Sequence, residues 1–107
     1  MKAKKNENNL ETCPVNNTLK IIGGKWRLRI IHEIGEDKRR FGELKRLIPE
    51  ISEKMLIQEL KVLVEYRILI RKAYKEIPPR VEYYVSERGK KVFPIIEEIK
   101  KFSNETN

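Results

Sequence analysis

The sequence predicts a mainly α-helical domain with one small β-hairpin, an α+β fold, and three observations predict it. Apolar residues recur at helical spacing through most of the stretch from 14 to 102. Glycines and prolines break that pattern into short segments, each with its own start and stop signals. Only residues 68–85 change period, becoming β-branched, aromatic and alternating. A chain of 107 residues holds one domain with a modest core and is too small for an elaborate catalytic cleft. That domain is expected to span 12–103, between a polar, Asn-rich and disordered arm at 1–11 and a short tail at 104–107.

The first helix begins at Pro14, whose fixed φ suits the first helical position, and Val15, Leu19 and Ile22 form its apolar edge. Gly23 and Gly24 stop it. A second helix covers 25–34: Trp26, Ile30 and Ile34 line one side, Leu28 and Ile31 widen the stripe, and Gly35 ends it. Residues 36–40 read as a polar turn. Phe41, Leu44, Leu47 and Ile48 then mark a short third helix, closed by Pro49 because a residue before proline resists the helical conformation.

The fourth helix, within 51–67, has two distinct edges. With Ser52 as N-cap, Leu56, Leu60 and Leu63 make a narrow apolar stripe for a core, while Lys54, Gln58, Lys61 and Glu65 point the other way. Two helices joined by about four residues, the second with an exposed polar stripe, have the organisation of a helix-turn-helix. After it, residues 68–74 and 80–85 read as two strands, with Val81, Tyr83 and Val85 alternating against Arg80, Glu82 and Tyr84. Pro78 and Pro79 stiffen the connection. A basic, proline-stiffened hairpin directly after a helix-turn-helix is a wing, and the whole is a winged helix-turn-helix domain.

Ser86 is a suitable N-cap for the last helix, where Pro94 is expected to kink the backbone. Its apolar edge, Val92, Ile95, Ile96, Ile99 and Phe102, exceeds what so small a domain needs to cover itself. With Val15 and Leu19 of the first helix, that edge is expected to form the interface of a homodimer.

Charge sets the direction for a partner. Lys and Arg number 24 against 16 acidic residues, a net charge of +8, and the excess is spread through the folded region. This suits a polyanion such as double-stranded DNA. Ser52, Lys54, Gln58 and Lys61 would face the major groove, Gln58 suiting adenine and Lys54 guanine or phosphate. Arg39, Arg40, Lys45 and Arg46 would fix register on phosphates, and Lys75 and Arg80 would grip the backbone or minor groove from the wing. No apolar run approaches a membrane-spanning length, and a single cysteine, Cys13, agrees with a reducing compartment, so a cytoplasmic location is expected.

The ordered set of Cys13-Pro14-Val15, Leu19, Ile22-Gly23-Gly24-Lys25-Trp26, Arg40-Phe41, Glu43-Leu44, Pro49, Ile51-Ser52, Lys54-Met55-Leu56, Pro78-Pro79-Arg80-Val81-Glu82-Tyr83 and Gly89 resembles the HxlR-type family of winged helix-turn-helix transcriptional regulators. The resemblance implies a DNA-binding dimer that represses or activates nearby genes. It also implies a candidate sensor role for Cys13, since some relatives use a cysteine at this place against oxidants or electrophiles; an N-cap position, where the helix dipole favours reactivity, agrees. Two positions depart from the family pattern. Arg67, after Tyr66, stands where glycine is usual, and Phe102 stands where the family often has Trp.

An enzyme is not expected. His32-Glu33 begins like a zinc-protease motif, but Glu36 occupies the place of the second histidine, and no glycine-rich phosphate loop, metal site or cofactor motif is present. The alternative readings are a non-specific architectural DNA-binding or RNA-binding module using the same basic surface, and a winged helix that binds only protein.

Overall fold

The computed structural model describes residues 13–106, so the arm expected at 1–11 lies outside the described residues. In chain order the elements are α1 (Pro14–Ile22), α2 (Arg27–Ile34), β1 (Lys38–Arg39), α3 (Phe41–Leu47), α4 (Glu53–Glu65), β2 (Leu69–Tyr74), β3 (Arg80–Val85), a 3-10 turn (Gly89–Val92) and α5 (Phe93–Thr106). The winged helix-turn-helix architecture is present, and among the described residues no helix is long and apolar enough to cross a membrane.

α1 starts at Pro14 with Cys13 as N-cap and stops at Gly23, whose N–H donates to the Leu19 carbonyl at 2.8 Å. Gly24 follows at a φ of +91°, a left-handed conformation that side chains resist. α2 begins two residues later than the sequence suggests, with Trp26 as its cap. Its Ile30, Ile31 and Ile34 form the centre of the core, joined by Leu44, Ile48 and Ile51 from α3 and the turn after it and by the leucines of α4. α2 packs against α3, β3 and α5, which makes it the post around which the domain is assembled.

Residues 36–40 are not simply a turn. Lys38 and Arg39 form a short strand paired with Tyr84 and Tyr83, so the hairpin is extended to a three-stranded antiparallel sheet of order β1-β3-β2. Two polar residues carry no period of their own; the partner strand, more than forty positions away, dictates the extended shape.

The end of the chain differs from expectation in the same way. Pro94 does not kink a helix, because the α-helix starts only at Phe93 and places Pro94 in the first turn, where its missing N–H costs nothing. Ser86 caps the preceding turn: its Oγ accepts from the Gly89 N–H at 2.9 Å and donates to the Arg67 and Ile68 carbonyls at 2.6 and 3.0 Å. Gly89 is required there, since a Cβ would collide with the Ile68 carbonyl and the Val85 side chain. α5 then runs without a breaker to Thr106, so residues 104–106 are helical instead of a tail.

Candidate nucleic-acid interface

α4 is built as its sequence requires. Ser52 caps it in extended conformation, its Oγ accepting from the Met55 N–H at 3.0 Å, and Glu53 in the first turn complements the helix dipole. Leu56, Leu60 and Leu63 are fully buried, each contributing roughly 1.5–3 kcal/mol of apolar burial. Lys54, Gln58 and Lys61 stand on the opposite face, all exposed, and none has an intramolecular partner among the described residues. An exposed helix edge bearing an amide flanked by two ammonium groups has donors and an acceptor for base edges and positive charge for phosphates.

The C-terminal end of α4 explains the departure at Arg67. Arg67 has a φ of +64°, its N–H donates to the Val64 carbonyl, and the Ile68 N–H donates to the Leu63 carbonyl, both at 2.9 Å. This is a Schellman stop in which an exposed arginine takes the left-handed place that glycine usually fills. The strain is on the order of 1 kcal/mol. The burial of Ile68 and Leu69 immediately afterwards forces the sharp reversal into the wing.

A single guanidinium fixes α4 against the start of the domain. Arg27 donates through Nε to Glu59 Oε1 at 2.6 Å and through Nη1 to the Lys20 and Ile21 carbonyls at 3.1 and 3.0 Å. It therefore closes the last turn of α1 and holds the middle of α4 with one side chain. Sequence reading missed this pair because its members are 32 residues apart.

The other expected contact residues divide into available and committed groups. Arg40, Arg46 and Lys75 are exposed and Lys45 is half-buried. The Arg40 backbone N–H donates to Glu43 Oε1 at 2.8 Å, which caps α3. Arg39 is half-buried and spends its Nε on the Glu33 carbonyl at 3.1 Å. Arg80 is bound within the wing: it donates to Glu76 at 2.9 Å, lies 3.7 Å from Glu82 and stacks on the Tyr74 ring, 4.0 Å from its centroid. Its charge shapes the hairpin. Glu82 is buried at 6% exposure between Arg80 and Lys38.

Two wing cations were missed. Arg71 is exposed and shares with Lys61 a groove of about 370 Å³ between α4 and the sheet, and Lys72 is exposed beside the Tyr74 ring. An exposed cation in a strand leaves no mark on periodicity, so only the fold reveals them. On the far side, Lys90 is held above its ordinary pKa by its hydrogen bond to Glu87 and the nearby carboxylate of Glu36, and adds little free charge.

The residues expected at a dimer interface also separate. Val92 and Ile96, each 6% exposed, belong to the chain's own core: Val92 ends the 3-10 turn, and Ile96 lies on α5 where that helix packs against α2. Val15, Leu19, Ile95, Ile99 and Phe102 remain exposed. Cys13 is a free, half-buried thiol at the α1 N-cap, and His32 is an exposed residue of α2.

With this geometry in place, likeness to known proteins is informative. Residues 21–107 match the HxlR-like helix-turn-helix family. The chain is 41% identical over 86 residues to the uncharacterized HTH-type transcriptional regulator YdeP of Bacillus subtilis, spanning 80% of this chain and 67% of that protein. Among solved structures it is similar to a protein assigned to the MarR family of transcriptional regulators from Porphyromonas gingivalis, at 52% identity and a TM-score of 0.86, covering 91% of this chain and 95% of the other. It is also similar to the redox regulator HypR in its oxidised form, at 38% identity and a TM-score of 0.83, covering 89% and 97%.

Proposed function

The chain belongs to the HxlR-like helix-turn-helix family of DNA-binding transcriptional regulators, and on that premise we propose that it acts as a homodimer on a roughly palindromic operator. One α4 enters each of two major grooves about 34–36 Å apart, one helical turn of DNA. The observation that carries this reading is the division of α4 into three buried leucines and an unpartnered Lys54-Gln58-Lys61 edge. Gln58 pairs with the N6 and N7 edge of an adenine, Lys54 reaches guanine or phosphate, and Ser52 contacts the backbone at the helix start. Arg40, Lys45 and Arg46 at α3 and Lys75 in the wing fix register on phosphates, joined by Arg71 and Lys72, while Arg39 and Arg80 support the sheet that carries the wing cations. Residues 12–103 form the DNA-binding unit, and no catalysed reaction or cofactor enters the mechanism.

The two copies meet through Val15 and Leu19 of α1 and Ile95, Ile99 and Phe102 of α5. Cys13, at the start of α1, is then placed beside the subunit boundary. We assign it the role of redox sensor by likeness to HypR. Two such thiols, each giving up a proton and an electron to an oxidant, would join the copies by a disulfide and change the angle at which they meet.

Footprinting on the DNA upstream of the gene tests both levels. The protein should leave a bounded footprint, and Gln58→Ala should weaken the specific site by about tenfold while leaving random DNA nearly unaffected. Equal losses on both would reject Gln58 as a base reader. With diamide present the footprint should change for the native chain and not for Cys13→Ser; an equal response in both would remove Cys13 as the sensor.

A further inference from the structure

We propose that Ile57 is a specificity-determining residue that reads the 5-methyl group of a thymine. The inference rests on α4 entering the major groove and adds a position to that helix which charge and hydrogen-bonding capacity do not reveal. Ile57 is 56% exposed, in the second turn of α4, one residue before Gln58 and three and four residues from Lys54 and Lys61. At 100° per residue it stands between the two faces, about 60° round the helix from buried Leu60 and about 40° from exposed Lys61, at the border of the outward face. The groove it lines includes no residue of α1 or α5, so the surface proposed for the second copy does not account for its exposure.

Its surroundings favour an apolar contact within a charged frame. Ile57 lines the groove between α4 and the sheet together with Phe41, Tyr83, Lys61 and Arg71. Lys61 and Arg71 are placed to hold the DNA backbone on either side, which would press the isoleucine tip towards the base edges between them. In the major groove, the one apolar group on a base edge is the thymine methyl. A β-branched side chain on a helix has little χ1 freedom, so Ile57 presents its methyls at low entropic cost.

Thymine-to-deoxyuridine replacement deletes that methyl and nothing else. A site is first enriched from a randomised duplex library with the full chain, and each thymine is then replaced singly in both half-sites. Binding is followed by fluorescence anisotropy for the native protein and for Ile57→Ala, which an exposed position tolerates. At one thymine the native protein should lose roughly fourfold per half-site, the worth of one methyl-sized apolar contact. Ile57→Ala should be indifferent to that same replacement, and Ile57→Leu should recover part of the sensitivity. If no replacement is felt by the native protein, or if Ile57→Ala feels it equally, the methyl contact is overturned while the helix keeps its reading role. A library from which no sequence is enriched would overturn the major-groove reading and this inference with it.

Discussion

α4 and the terminal helices carry apolar stripes of similar regularity and treat them in opposite ways. In α4 all three leucines of the stripe are buried and the outer edge is left to polar groups. In α1 only Ile22 is buried, while Val15 and Leu19 are 64% and 55% exposed; in α5 the stripe goes under at Ile96 and emerges again at Ile99 and Phe102. A helix whose apolar side is fully covered offers its polar side to a partner, and one whose apolar side stays uncovered offers that side instead. The first suits a polyanion and the second suits a like surface.

Salt gives the largest test of the α4 half of this contrast. With roughly six to ten phosphate contacts, affinity for the enriched site should fall about a thousandfold or more between 50 and 200 mM salt. A shallow slope in an anisotropy titration would mean that the polar edge is only solvated. The inner edge is tested by Leu60→Ala, which should cost about 2–5 kcal/mol in urea unfolding because the core around a fully buried leucine relaxes only in part into the space left. A loss below ~1 kcal/mol would place α4 outside the core.

For the terminal helices, Leu19→Glu should weaken self-association on the order of tenfold or more in sedimentation equilibrium. The unfolding midpoint at low protein concentration should stay in place, because Leu19 touches little of its own chain. An unchanged dimer would move the interface elsewhere. The smallest effect is expected where α4 ends: Arg67→Gly should raise stability by about 0.5–1 kcal/mol, the relief of left-handed strain less the added freedom of the unfolded chain. A neutral or destabilising result would mean that the Arg67 side chain makes a contact worth as much as the strain.

Local signals were legible in the sequence and long-range ones were not. The Ser52 cap, the leucine stripe of α4, the proline start of α1 and the hairpin are properties of neighbouring residues, and the structure reproduces each. β1 went unread because two residues have no period, and its shape comes from β3. The charge of Arg80 was legible; its commitment to Glu76, Glu82 and Tyr74 depends on how the hairpin closes. Likewise the apolar edge of α5 could be seen, but only the packing of the 3-10 turn and of α5 against α2 decides that Val92 and Ile96 serve the core while Ile95 and Ile99 do not. The Arg67 departure was visible as a residue type, and its meaning needed the positive φ.

The Arg27 guanidinium, gripping the last carbonyls of α1 and the Glu59 carboxylate at once, has a mechanical consequence. In a pair of copies joined through α1, the two α4 rods would be the jaws of a caliper, and this pin would tie each jaw to the joint beyond what its buried leucines hold. Loosening that pin would let the jaws wander, so a tight preference for one operator length would give way to tolerance of several.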